Sequence, residues 1–266
     1  KGTNAVNGQP IELTLVDDAG DPVKAVSAAK DLIGKGYKVL AGSTSSGVAL
    51  QVAPLAEQNK ILFISGPAAT DAVTGINKYT FRSGRQTYQD VKTAATFLKG
   101  VGKKVTVFAQ DSAFGAGNYA AVNSIVGSQG HTVGRLLVPL SAQDFTPFAQ
   151  QVKQANPDLL FVAWAGTTAP AMWRALDQQG TVRGTTVATG LAERGTWASY
   201  VPGLNFLTHY VAETPKNTVN NCLKAQMKRK NQIPDIFTPD GFVTAQMIQR
   251  AVSRGGDDVD RMVSAL

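Results

Sequence analysis

Short apolar runs alternate along the chain with stretches whose apolar residues recur at helical spacing. The short runs predict strands, and the stretches between them predict helices. The predicted strands are 12–17, 38–42, 62–65, 80–82, 105–110, 132–138, 159–164, 186–189 and 207–211. The predicted helices are 22–34, 47–58, 87–100, 117–129, 145–156, 169–180, 217–231 and 241–255. Continuously apolar strands separated by helices are typical of parallel sheets that are buried on both faces, so this pattern predicts an α/β fold.

Two turns between a strand and a helix have the same design. Residues 39–50, VLAGSTSSGVAL, pass from an apolar run through glycine and hydroxyl residues into a helical pattern, and residues 161–172, FVAWAGTTAPAM, do likewise. The strands that come next, in 62–72 and 185–195, also end in small residues. Ligands of parallel sheets bind outside the carboxyl ends of the strands. The repetition therefore predicts two lobes that face a cleft.

Composition indicates an ordinary globular protein. The chain has 266 residues, of which 43% are hydrophobic and 17% are charged, enough for one large domain or two smaller lobes. The net charge of +7 comes from scattered basic residues, and the only dense run is Lys228 to Lys230. We interpret this run as a solvated helix face, because a nucleic-acid site would group basic residues with stacking aromatic residues on one surface.

The single cysteine argues against disulfide and zinc-site proteins, and the short apolar runs argue against a membrane-spanning protein. With Cys222 alone, an internal disulfide and a multi-cysteine zinc site are impossible, and we expect this thiol to be buried. No apolar run reaches the roughly 18 residues that a membrane-spanning helix needs. Residues 1–3 do not open a secretory signal, which is what a mature chain with its signal peptide removed would also show.

The hydroxyl run at 43–46 is the strongest candidate for a binding site. Ser45 and Ser46 lie where the chain enters a predicted helix, and the unpaired amides there carry a partial positive charge that suits an anion. The alternative is helix capping, because serine and threonine are preferred N-caps. A phosphate-binding loop is disfavoured, since no lysine follows the glycine as that motif requires.

Catalytic, metal and cofactor sites find little support in the sequence. Neither His131 nor His209 comes with an acid and a nucleophile in a recognisable order, and no G-x-S-x-G or H-E-x-x-H motif is present. Asp17, Asp18 and Asp21 could hold a metal, but turn and cap roles suit their position better. We expect no cofactor, no metal site and no enzymatic activity.

Aromatic residues at three predicted turns leave two interpretations open. Phe114, Trp164 and Phe237 lie at turns, where a purely structural aromatic residue is less expected than inside an element. Each either packs in the core or forms the wall of a ligand pocket. A pocket lined by such residues would suit a ligand with an apolar or aromatic body.

Segments along the whole chain resemble the solute-binding proteins of ABC importers of the branched-chain amino acid type. They are IELTLVDDAGDP (11–22), LAGSTSSGVAL (40–50), ILFISGPAATDAVTG (61–75), YTFRSG (79–84), DSAFGAG (111–117), DFTPFAQQVKQANPDLLFV (144–162) and DGFVTAQMI (240–248). The resemblance implies the type I periplasmic binding protein fold, in which two Rossmann-like lobes with parallel sheets are hinge-linked around a cleft. It assigns residues 1–85 and 214–266 to lobe 1 and residues 86–213 to lobe 2.

The resemblance also implies a set of ligand-binding residues. Ser46 matches the serine that binds the ligand carboxylate, and the loop from Ala68 to Thr70 matches the second loop of lobe 1. The full set that we expect is Ser45, Ser46, Ala68, Ala69, Thr70, Phe114, Trp164, Thr168, Gly190, Leu191 and Phe237.

Two departures from the family pattern affect these expectations. Where amino acid binders carry an acid for the ligand's ammonium group, this chain has Gly190, Leu191 and Ala192, and Glu193 comes one residue later. A buried ammonium without a counter-charge is costly, which favours an aromatic or aliphatic acid that lacks an α-amino group. Family members also have a strand and helix before residues 4–13 and strands beyond residue 266, so we expect the sequence to be part of a longer chain.

The resemblance implies a monomeric, extracytoplasmic protein, periplasmic or lipid-anchored, that captures a small carboxylate-bearing ligand by hinge closure. Its partners would be this ligand and ABC permease subunits. A branched-chain amino acid and a non-amino acid both remain possible ligands. The alternatives are a ligand-sensing domain of a regulator or receptor with the same fold, a flavodoxin-like hydrolase or transferase, and a nucleic-acid binder.

Overall fold

The computed structural model describes residues 5–190, 193–202 and 204–266. The chain forms two compact units, residues 1–85 with 237–266 and residues 86–236. Residues 214–236 thus belong to the second unit, whereas the sequence prediction placed them in lobe 1. Hydrogen bonds explain this: the Asn220 side chain donates to the carbonyl of Ala212 (3.0 Å), and Asp235 accepts the N–H of Arg194 (2.8 Å).

The elements follow the predicted alternation of strands and helices. The strands are β1 (Ala5–Val6), β2 (Gln9–Pro10), β3 (Val39–Gly42), β4 (Leu62–Ser65), β5 (Thr80–Arg82), β6 (Lys104–Gln110), β7 (Thr132–Val138), β8 (Leu159–Ala163), β9 (Thr186–Thr189) and β10 (Asn205–Phe206). The helices are α1 (Pro22–Gly34), α2 (Ser46–Asn59), α3 (Thr87–Ala95), α4 (Ala113–Ile125), α5 (Thr146–Ala155), α6 (Ala169–Gln178), α7 (Thr181–Gly184), α8 (Thr218–Arg229), α9 (Thr238–Gly255) and α10 (Val259–Ser264). Short 3-10 helices cover Asp71–Val73, Gly127–Gln129 and Arg194–Ser199.

The first unit is built around a parallel sheet in the order β3-β4-β5. Successive side chains of a strand point to opposite faces, and both faces of β4 are covered. Phe63 packs in a cluster with residues of α1 and α2, whereas Leu62 and Ile64 pack with Ala251 of α9 and Met262 of α10. The small antiparallel hairpin of β1 and β2 is separate from this sheet.

The second unit contains a five-stranded parallel sheet in the order β10-β9-β8-β6-β7. Successive side chains of its strands again point alternately into two cores, one on each face of the sheet. Phe108 and Leu160 pack with α5 and α6, while Val107 and Phe161 pack with residues of α3 and α4. The two sheets confirm the predicted α/β class with parallel strands flanked by helices.

Two strand predictions and one burial prediction are wrong. Residues 12–17 form no strand, and Leu13 and Leu15 are 78% and 85% exposed. A strand requires a hydrogen-bonded partner strand. Within the described residues, no strand pairs with residues 12–17, and the sheet of the first unit ends at β3. The strand predicted at 207–211 lies instead at β10. Cys222 is exposed, because α8 turns Asn220 and Leu223 inward.

Candidate functional site

The hydroxyl loop begins where β3 ends, in the first unit. Ser45 is the N-cap of α2, and its Oγ accepts the N–H of Val48 at 3.4 Å. The Oγ of Ser43 accepts the N–H of Ser45 at 3.0 Å. Both hydroxyls therefore hold the local backbone at the start of the helix, as the capping interpretation predicts for Ser45.

Ser46 differs from these two serines. It is the first residue of α2 and only 2% exposed, yet its Oγ has no hydrogen-bond partner in the parts of the chain that the structure describes. A buried hydroxyl without a partner costs about 1–3 kcal/mol. Together with the partial positive charge at the start of a 14-residue helix, this hydroxyl can bind an anion.

A second loop lies directly beside the hydroxyl loop. It follows β4, and two backbone hydrogen bonds join it to the first: Gly66 N–H to Gly42 O at 3.0 Å and Ala68 N–H to Ser43 O at 3.2 Å. Residues 68–70 are buried, and the Oγ of Thr70 accepts the N–H of Ala72 at 3.3 Å. The structure thus brings together Ser45, Ser46, Ala68, Ala69 and Thr70, the predicted site residues of these two loops.

Arg82 also belongs to this region, and the sequence reasoning missed it. Its Nη2 donates to the carbonyls of Ala68 (2.7 Å) and Thr70 (3.2 Å), and its Nη1 donates to Thr74 Oγ1 (2.7 Å). Burial lowers the pKa of Arg82, and the nearby carboxylate of Asp71 opposes this shift. Arg82 is the last residue of β5, the strand next to β4. Its position at the carboxyl end of a predicted strand could therefore have identified it from the sequence as a residue near the loop after β4.

Phe237, the remaining predicted site residue of the first unit, precedes α9. It is half-buried, and its carbonyl accepts the N–H of Gly241 at 3.3 Å, as expected of an N-cap position. These contacts establish a helix start. Its role in a pocket wall stays a prediction.

Trp164 lies in the second unit, immediately after β8. The residue is 6% exposed, and its ring stacks on Phe108 with ring centroids 5.4 Å apart and meets Phe145 edge-on at 5.3 Å. The indole Nε1 donates to Thr168 Oγ1 at 3.0 Å. These contacts favour core packing over a pocket wall, and they fix Thr168 at the start of α6.

A hydrogen bond connects the carboxyl ends of β6 and β8 next to Trp164. The Gln110 side-chain oxygen accepts the N–H of Ala165 at 3.0 Å. Phe114 lies one turn further along, half-buried in the first turn of α4 against the α3–α4 core. Helix α4 begins at Ala113, earlier than predicted, because Ser112 accepts the N–H of Gly115 at 3.2 Å as an N-cap.

The sequence at 190–192, directly after β9, contains no carboxylate that could pair with a ligand ammonium group. Gly190 follows β9, and Leu191 and Ala192 lie outside the described residues. Glu193 is exposed. Glu213 pairs with the Arg194 guanidinium at 3.2 Å, so this carboxylate already has a cation.

His131 and the three aspartates that were considered for catalysis and metal binding have structural roles. The Nδ1 of His131 accepts the N–H of Lys103 at 3.2 Å, at the amino end of β6 and β7 and so away from the carboxyl edge. Asp17 and Asp18 accept turn amides, and Asp21 caps α1. Within residues 5–190, 193–202 and 204–266, no three acidic, histidine or cysteine side chains group as metal ligands, and no helix is long and apolar enough to cross a bilayer.

Comparison with known proteins identifies relatives along the whole chain. A family model described as periplasmic binding protein matches residues 2–266. A Leu/Ile/Val-binding protein homolog of Brucella melitensis is 26% identical over 271 residues, which cover 98% of this chain and 73% of that protein.

Solved structures also include relatives that match almost the whole chain. A structure titled as an ABC-type branched-chain amino acid transporter from Rhodopseudomonas palustris is 32% identical, covers 99% of this chain and 74% of its own, and has a TM-score of 0.75. A solute-binding protein of an ABC transporter from Rhodopseudomonas palustris, in complex with 3,4-dihydroxybenzoic acid, is 26% identical. It covers 98% of this chain and 75% of its own, with a TM-score of 0.81.

Proposed function

The chain belongs to the periplasmic binding protein family, and from this premise we propose that it captures a small carboxylic acid and delivers it to ABC permease subunits. The matching family model describes periplasmic binding proteins, which supports a binding role and an extracytoplasmic location. The fold, with parallel sheets whose carboxyl ends carry small-residue loops, suits ligand capture.

The buried, unpartnered hydroxyl of Ser46 is the observation that carries the proposal. A carboxylate placed there would accept this hydroxyl and amides at the start of α2, gaining charge-assisted hydrogen bonds without an ionic partner. The hydrogen bond between Ala68 and Ser43 keeps the neighbouring loop beside it. Both loops follow neighbouring strands of one sheet, so the same sheet supports both halves of the proposed site.

Among carboxylic acids, we favour one without an α-amino group. Known relatives include both Leu/Ile/Val-binding protein homologs and a protein bound to 3,4-dihydroxybenzoic acid, so the relatives support either class. In this chain Gly190 replaces the start of the acid-bearing segment, and Glu213 is already paired with Arg194. An ammonium group buried there would lack a counter-charge.

Capture would proceed by hinge closure. The chain passes between its units at 85/86 and 236/237, and these crossovers are the proposed hinges. The acid would bind the first unit early and hold the closed state through the second. A ligand must favour the closed state by about 5.5 kcal/mol to move the equilibrium from 1:99 to 99:1.

A ligand panel tests this proposal directly. Melting temperature and calorimetric affinity are measured with benzoate, 4-hydroxybenzoate, hexanoate, L-leucine and L-valine, and benzamide serves as the uncharged control. Only ligands that bind the native state raise the melting temperature. We expect stabilisation by at least one acid without an amino group and none by benzamide. Stabilisation by leucine or valine alone would refute the ligand class, and no stabilisation by any acid would refute the carboxylate site.

A further inference from the structure

We propose that Arg82 is the positioning residue of the acid site, holding the loops after β3 and β4 in the geometry that binds a carboxylate. The inference rests on the proposed function, because the site that it positions is the one proposed above. Arg82 is not itself assigned a contact with the ligand. It acts through the backbone of the two loops.

The contacts of Arg82 are concentrated on one loop. Its guanidinium reaches the carbonyls of Ala68 and Thr70 and the hydroxyl of Thr74, at 2.7, 3.2 and 2.7 Å. A planar guanidinium with donors in fixed directions holds several acceptors at once, which the single ammonium of lysine cannot do in the same geometry. One side chain therefore fixes both ends of the segment from Ala68 to Thr74.

A continuous series of hydrogen bonds leads from this loop to the start of α2. Ala68, whose carbonyl binds Arg82, donates its N–H to Ser43 O at 3.2 Å. The Ser43 hydroxyl accepts the N–H of Ser45 at 3.0 Å, and Ser45 caps α2. Ser46, with its unpartnered hydroxyl, is the next residue. A displacement of the 68–70 loop would therefore change the position of Ser46.

Burial and neighbouring charges affect the guanidinium of Arg82. Burial lowers its pKa, Arg85 lowers it further, and the carboxylates of Asp71 and Asp240 oppose both effects. Arginine remains protonated because its ordinary pKa is far above neutrality. Its Nε is buried without a partner among the described residues, so the loop contacts do not satisfy the whole guanidinium.

Hydrogen exchange of the unliganded protein tests the positioning role without knowledge of the ligand. Arg82→Gln removes the charge and most of the hydrogen-bond donors, and Arg82→Lys keeps the charge but lacks the planar guanidinium with its donors in fixed directions. Arg250→Gln is the matched control, because Arg250 of the same unit donates to the carbonyl of Ala265 at 2.6 Å. We expect Arg82→Gln to speed amide exchange in 43–48 and 66–74 about tenfold or more, with the amides of β4 unchanged. Arg82→Lys should give a smaller increase, and the control none.

The two possible failures can be told apart. Exchange that rises equally in the loops and in β4, or only as much as in the control, would show that Arg82 merely supports the fold and would overturn the proposal. In a second arm, calorimetry with benzoate and L-leucine should show at least about tenfold weaker binding to Arg82→Gln for whichever acid binds the unchanged protein. Unchanged affinity would also overturn it. If neither acid binds the unchanged protein, the measurement is repeated with the other acids of the ligand panel. If none of them binds, the proposed function fails, while the exchange experiment still decides the role of Arg82.

Discussion

Replacing Ser46 by alanine should make the protein more stable and the acid site weaker. The hydroxyl is buried and has no partner within the described chain, so it contributes no hydrogen bond to the unliganded fold. Ser45, the preceding residue, keeps its capping bond to Val48. The substitution therefore separates a binding role from a structural one.

The magnitudes follow from the two states of this hydroxyl. Removing an unsatisfied buried polar group recovers part of a penalty of about 1–3 kcal/mol, and the small void left behind offsets some of it. We expect a gain of about 1 kcal/mol in unfolding free energy. A hydrogen bond to a charged group contributes about 1.5–3 kcal/mol, so losing it should weaken binding of the acid about tenfold to 150-fold.

The assay combines urea unfolding of the unliganded protein with calorimetric titration of the acid that binds in the ligand panel. Ser45→Ala is the matched control, because it removes an N-cap one residue away and should lower stability by about 0.5–1 kcal/mol. The two neighbouring substitutions thus have opposite expected effects on the urea midpoint. If Ser46→Ala lowers stability as Ser45→Ala does, the hydroxyl has a structural partner and the reasoning is refuted. An affinity loss below about 0.5 kcal/mol would refute the carboxylate site.

Three further predictions concern the second unit. Gly115→Ala should lower the unfolding free energy by about 3 kcal/mol or more in urea titrations, because the added Cβ would overlap a backbone oxygen of β6; a loss under about 1 kcal/mol would contradict this close approach. Thr168→Val should cost about 1–3 kcal/mol by leaving the buried Trp164 Nε1 without its acceptor, whereas Thr168→Ser should be much milder. The N–H of Lys104 lowers the pKa of Asp158, so this carboxylate stabilises the fold above its unfolded pKa of about 4, and the contribution disappears as pH falls through the folded pKa. Asp158→Asn should therefore flatten the loss of stability on acidification, and an unchanged acid profile would contradict the assignment.

Local chemistry made much of the fold predictable. Asp21 and Pro22 form a cap and a first helical residue, and α1 has the predicted bounds of 22 and 34. The continuous apolar runs at β4 and β8 indicated strands covered on both faces, and all their residues are buried. The hydroxyl run marked the entry into the helix predicted at 47–58, and α2 begins at Ser46 with Ser45 as its N-cap. Each of these signals lies within a few residues of the feature that it predicts.

Pairing between distant segments decided what the sequence could not. Residues 12–17 have strand composition but no strand, since composition does not supply a partner. Trp164 could have lined a pocket or packed in a core, and only its position against Phe108 and Phe145 separates the two. The assignment of 214–236 to the second unit likewise depends on bonds such as Asp235 to Arg194.

The sequence by itself determined the α/β class, the places where strands give way to helices and the hydroxyl loop, because propensity, capping and apolar spacing act over short distances. Tertiary structure alone decided that the hydroxyls of Ser43 and Ser45 accept backbone N–H groups, while the Ser46 hydroxyl has no partner among the described residues. It also decided that the Arg82 guanidinium donates to carbonyls 12 to 14 residues earlier in the chain. The physical reason is that a hydrogen bond needs a partner at a defined distance, and only the folded chain brings distant partners together.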